Sequence, residues 1–148
     1  MRKLISLIAA ASFSLIPVPL RAQQNTIMIQ VLDGYTGVAI ANHSVAIATG
    51  VTPADVKARK NIQHIKTDQR GILLMQLPSG PPGFIQLWTD DMHTCTLHPE
   101  TDAFSLAEIS SKGLQAPNKC GKMSVQIAPA HFIIFLRELT PAERAAAK

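Results

Sequence analysis

The sequence predicts an all-β protein folded as an antiparallel sandwich, and three observations predict it. Short β-branched and apolar runs recur about every ten residues, the gaps between them carry Gly, Pro or Asp, and one interior segment shifts to a helical pattern. The 148 residues, 47% of them hydrophobic, amount to a single domain.

The first segment reads as an export signal rather than as structure. Met1-Arg2-Lys3 is a basic start, Leu4 to Ile16 is mainly apolar, and Pro17-Val18-Pro19-Leu20-Arg21-Ala22 leads into polar Gln23-Gln24-Asn25. The apolar run is too short for a membrane span of roughly 20 residues. Residues 1–22 are therefore expected to be a signal peptide cut after Ala22, although Leu20 stands where a small residue is preferred. No cysteine follows the apolar run to receive a lipid. Loss of Arg2, Lys3 and Arg21 lowers the net charge from +4 to +1. The basic pI of about 9.3 thus belongs largely to the export segment. Lys57, Arg59 and Lys60 remain clustered but without interleaved aromatics, which fits a solvated loop and excludes nucleic acid as a partner.

The first strand is Thr26 to Leu32, ended by the turn formers of Asp33-Gly34-Tyr35-Thr36-Gly37. Ser44 to Thr49 places Val45 and Ile47 at period two, and Gly50 and Pro53 end it, leaving a long polar loop through Asn61. Ile62–Thr67 and Ile72–Leu77 flank Asp68-Gln69-Arg70-Gly71, the signature of a hairpin. After the break at Pro78-Ser79-Gly80-Pro81-Pro82-Gly83, Phe84–Thr89 forms a fifth strand and His93–Leu97 a sixth.

Ser105-Leu106-Ala107-Glu108 has the form of a capping box, and Gly113 suits a helix end. Val125–Ile127 and His131–Leu136 supply closing strands. Thr140-Pro141-Ala142-Glu143 repeats the cap, with Pro at the first helical position, and predicts a C-terminal turn or short helix over the 140–148 tail. Cys95 and Cys120 are the only cysteines, and in an oxidising compartment they pair as one disulfide with the helix inside its loop. Closing about 26 residues stabilises a fold by roughly 3 to 4 kcal/mol.

Val31-Leu32-Asp33-Gly34-Tyr35-Thr36-Gly37, continuing through Val38-Ala39-Ile40-Ala41-Asn42-His43-Ser44-Val45-Ala46-Ile47, with the later Thr67-Asp68-Gln69-Arg70-Gly71, resembles the carboxypeptidase regulatory-like domains. The resemblance spans Ile27 to Leu77 and implies a transthyretin-like or Ig-like sandwich over 23–139; the Gly50–Asn61 loop departs from the compact form. The stretch from Ala116 to Gly121 and on to Leu139 is similar to small exported bacterial proteins carrying that domain. Neither likeness implies an activity.

The chemistry those folds carry elsewhere lacks its residues here. No histidine has Glu three positions on, as a metallocarboxypeptidase zinc site needs. Tyr35 is the only Tyr, against the two that hold iron in intradiol dioxygenases, and the Tyr-Arg-Gly-Ser signature of hydroxyisourate hydrolases is missing. Isopeptide chemistry needs a Lys on the first strand and an Asn on the last, and neither is there. His93, Cys95 and His98, with Cys120, have the donor types for zinc or copper, and His93 and Cys95 share a strand face. A disulfide uses the same sulfurs. Asp90, Asp91, Glu100 and Asp102 match neither a calcium loop nor a catalytic carboxylate pair and read as solvated turns. Trp88 suits the core better than a sugar-stacking platform. The expectation is a secreted or periplasmic module with no catalytic set, no cofactor and no membrane span, binding an envelope protein or glycan. The competing expectation is a small metal-dependent hydrolase or oxidase using His93, His98 and Cys95.

Overall fold

The computed structural model describes residues 26–77, 79–80, 83–98 and 102–146. The expected signal peptide lies outside them, as does Glu100. In chain order the elements are β1 (Thr26–Asp33), β2 (Ser44–Gly50), α1 (Pro53–Lys57), β3 (Ile62–Lys66), β4 (Ile72–Gln76) and β5 (Phe84–Trp88). There follow β6 (Met92–Thr94), β7 (Phe104–Ser105), α2 (Leu106–Lys112), β8 (Leu114–Gln115), β9 (His131–Glu138) and α3 (Pro141–Ala146).

The strands form two sheets that share one hydrophobic core, the arrangement of a β-sandwich. The first has the order β4-β1-β9, and the far edge of β9 is divided between β8 at its start and β6 at its end. The second has the order β3-β2-β5-β7. Alternation decides what each strand buries. Ile27, Ile29 and Val31 of β1 and Phe132, Ile134 and Leu136 of β9 meet Val45 and Ile47 of β2 and Ile85 and Leu87 of β5. Leu106 and Ile109 of α2 join this core, so the helix inside the disulfide loop is part of the structure, as its cap and glycine stop predicted. Ser105 Oγ accepts from Glu108 N–H at 3.3 Å, and Gly113 follows with φ +77°. Lys112 and Glu108 stay on the solvent side.

Four expectations change. The sheets are not wholly antiparallel: β1 and β9 run parallel, Met28 opposite His131 through Asp33 opposite Leu136, and β8 also runs parallel to β9. Turn chemistry informs only on sequence neighbours, and strands this far apart pair in either direction. The expected hairpin is instead a crossing between sheets, since β3 pairs with β2 and β4 with β1. Its turn forms as read: Asp68 Oδ1 accepts from Arg70 and Ile72 N–H at 2.8 Å each, and Gly71 has φ +70°. But Val31 N–H donates to the Gly71 carbonyl at 2.8 Å, which draws the outgoing chain onto β1. A Cβ on Gly71 would lie 2.7 Å from the Val31 carbonyl oxygen, so the approach itself needs glycine.

Residues 121–128 form no strand. Both edges of β9 are taken, and Val125 N–H donates to the side-chain oxygen of Gln115 at 2.7 Å instead of to a ladder. The polar loop after β2 contains α1, whose signal was Thr52-Pro53-Ala54-Asp55. Thr52 Oγ1 accepts from Asp55 N–H and the Asp55 carboxylate from Thr52 N–H, a reciprocal cap with Pro at the first turn. The hydroxyl of Thr52 is the first cause holding the Asp55 carboxyl below its ordinary pKa. α1 packs on β2 and β5 with Val56 fully buried, and the outward-facing Ala46 and Ala48 of β2 are buried as well. Thr52→Ala is expected to cost about 1 kcal/mol, read from urea unfolding, with faster amide exchange confined to residues 54–58. An unchanged midpoint would show that α1 does not depend on its cap.

Cys95 and Cys120 are joined by the expected disulfide. It lies on the outer face of the first sheet, where Cys95 packs with Leu32, Ile133 and Phe135 beneath Met123 and Val125, making a second, smaller core. Gly34 lets the bridge approach: a Cβ there would be 2.8 Å from Cys95 Sγ. Asn118 ties the bridging segment down, donating to the Gly34 carbonyl at 2.8 Å and accepting from Cys120 and Gly121 N–H at 3.2 Å.

Candidate functional site

A groove of about 730 Å³ opens at the end of the sandwich where β1 and β9 finish and the β5–β6 turn passes. Ile40, Met92 and Leu139 give it an apolar base, and Asp33, His43, Asp90, Asp91, Glu138 and Arg144 supply its polar groups. Four carboxylates thus face one guanidinium and one imidazole.

Each polar group is placed by local backbone chemistry. Asp33 ends β1, and its Oδ1 accepts from Tyr35 N–H, Thr36 N–H and the Thr36 hydroxyl at 3.0, 2.7 and 2.8 Å. Partial burial pushes its carboxyl up, but these donors outweigh that and hold it below the ordinary carboxylate value. Thr89 Oγ1 accepts from Met92 N–H and donates to Met92 carbonyl oxygen, both at 3.1 Å. This clasp closes the turn and leaves Asp90 and Asp91 exposed. Asp91 Oδ1 lies 3.0 Å from His43 Nε2. The two are not aligned as a hydrogen bond, so the contact is a charge pair that exists when the imidazole is protonated. Glu138 and Arg144 approach to 3.7 Å, both largely exposed, a geometry worth little to stability.

Beside the groove, on the outer face of the first sheet, Arg137 grips Glu143 with two parallel hydrogen bonds of 2.7 Å. His93 Nδ1 lies 4.0 Å from the same carboxylate. The Arg137 side chain, then the Thr140 N–H, hold the Glu143 carboxyl well below the usual glutamate range, and the same pairing raises Arg137.

The residues singled out in the sequence are not brought together as a metal site. His93 and Cys95 share the outer face as expected, but Cys95 sulfur is in the disulfide and His93 faces Glu143. His98 N–H donates to the Asp102 carboxylate at 3.0 Å. Among the described residues, no three His, Cys, Asp or Glu side chains are grouped so as to hold a metal ion. Asp90 and Asp91 line the groove, whereas Asp102 accepts from His98 N–H. Trp88 is half-buried on the outward face of β5 rather than in the core, with the Arg59 guanidinium 4.2 Å from its ring centre. Sequence reading missed Asp33, His43, Glu138 and Arg144 as a set because they lie at four separate places along the chain. Asp33 was legible only as a turn former.

No helix among the described residues is long and apolar enough to cross a membrane. No family model, curated protein or solved structure matches this chain.

Proposed function

We propose that this chain is an exported, non-catalytic sandwich module of the transthyretin-like or Ig-like type, akin to the carboxypeptidase regulatory-like domains, which binds a partner at the cell envelope through the acidic groove. The groove carries the reading. It is large enough for a side chain or a single sugar, its polar groups are mainly carboxylates, and among the described residues its lining holds no Ser, Thr or Cys nucleophile beside a base. The disulfide supports an oxidising compartment. An acidic rim selects cationic groups and steers them at low salt, so the partner is a protein segment rich in Lys or Arg in preference to a neutral glycan.

Titration of the isotopically labelled protein with a hexalysine peptide is expected to shift the amide resonances of residues 33, 40, 43, 90–92, 138 and 139, with affinity falling steeply as salt rises. Exposed charge contacts contribute up to about 1 kcal/mol each, so the Asp90→Asn, Asp91→Asn double variant should bind about five- to tenfold more weakly. Shifts from a neutral oligosaccharide at the same residues, with none from the peptide, would overturn the choice of partner.

A further inference from the structure

The helix α3 is attached in an unusual way. None of its residues is buried, and six residues do not sustain a helix in water by themselves. Its hydrogen-bonded attachment to the sheet runs through one carboxylate. Glu143 Oε2 accepts from Thr140 N–H at 2.8 Å, while Glu143 N–H donates to Thr140 Oγ1 at 3.3 Å, so the residue closes the cap of its own helix. The same carboxylate receives the Arg137 fork, and Arg137 is mostly covered on the sheet. Cap and anchor are therefore a single group. The next residue, Arg144, is held over the groove by donating Nε–H to the Leu139 carbonyl at 3.0 Å and approaching Glu138 at 3.7 Å. It supplies the only guanidinium among the groove's described lining residues.

We infer that α3 is a latched strap, bolted by Glu143, that keeps Arg144 over the groove as an internal cation competing with any ligand cation. Releasing Glu143 from Arg137 removes the anchor and leaves only the local Thr140–Glu143 cap, which does not sustain six residues in water, so α3 unwinds and Arg144 withdraws. Glu138, already exposed, then loses its cation partner at 3.7 Å. The strap itself stands on the contacts of α3; its inhibitory effect rests on the groove reading above.

The test compares the wild type with Glu143→Gln, which keeps shape but loses the charge of the bolt, and with Arg144→Ala, which keeps the bolt but removes the internal cation. Amide exchange at 142–146 is expected to quicken at least tenfold in Glu143→Gln, and in the wild type at 1 M NaCl, but not in Arg144→Ala. Trypsin cleavage after Arg144 should quicken likewise in Glu143→Gln. Hexalysine should bind both variants several-fold more tightly than the wild type at low salt. Unchanged exchange in Glu143→Gln overturns the strap. Quickened exchange with unchanged or weaker hexalysine binding in both variants, while the wild type binds, overturns the inhibitory role. If none of the three proteins binds hexalysine, the groove reading and the inhibitory role both fall, and exchange alone still decides the strap.

Discussion

Phe132→Ala is expected to destabilise the protein by about 3–5 kcal/mol, the usual cost of deleting a buried phenylalanine. Phe132 is fully buried on β9, which is paired along both edges, and its ring meets Phe104 at 4.9 Å between centres. Main-chain pairing on both sides leaves the strand little freedom to collapse into the cavity, which places the cost toward the upper end. Against a total stability of roughly 5–15 kcal/mol this removes a third or more, and the midpoint of thermal unfolding should fall by roughly 10–20 °C. Phe132→Leu, which retains most of the volume, should cost far less. A loss below about 1 kcal/mol for the alanine variant would mean that the two sheets do not enclose this ring.

The second large effect belongs to the disulfide. Replacing Cys95 and Cys120 together by Ser opens a loop whose ends are 25 residues apart, and the chain-entropy estimate for that length is about 3.5 kcal/mol. The loss should be distributed unevenly. The bridge sits in the small outer core, so amides of 116–125 should exchange faster before those of β1, β2 and β5 do. Denaturant unfolding of the variant at unchanged slope measures the first part, and site-resolved exchange the second. A shift of less than about 1 kcal/mol, or uniform loosening, would show that the bridge adds little beyond the contacts around it.

Strands whose signal was local were legible in the sequence. Ile27, Ile29 and Val31, or Ile85 and Leu87, alternate and are bounded by turn formers, and those residues line the core. The helix α2 was legible because Ser105 and Gly113 mark both its ends. What failed was pairing. Gly71 turns the chain as its sequence says, yet its carbonyl binds Val31 rather than a residue across a hairpin, and nothing in residues 62–77 states which sheet receives the outgoing strand. The α1 cap was passed over because five helical residues are too few to show a period, and only Val56 is apolar and buried. The groove was the least legible part. Asp90 and Asp91 are turn residues by any local test, and they gain meaning only when β1 and β9 bring Asp33 and Glu138 beside them.

The parallel pairing of β1 with β9 sets a schedule for folding. Met28 meets His131 about a hundred residues further along the chain, so when the polypeptide emerges N-terminus first, β1 waits for its partner until nearly everything else has been made. A centre of this kind closes late, because loop entropy is spent before the contact returns anything. Until then β1 has only β4 beside it, and its other edge stays open to any passing strand. A chain stopped before residue 131 lacks the strand that seals the sheet. Under the export proposed above, such a late keystone would keep the chain pliable during passage through a membrane and let it set only after release.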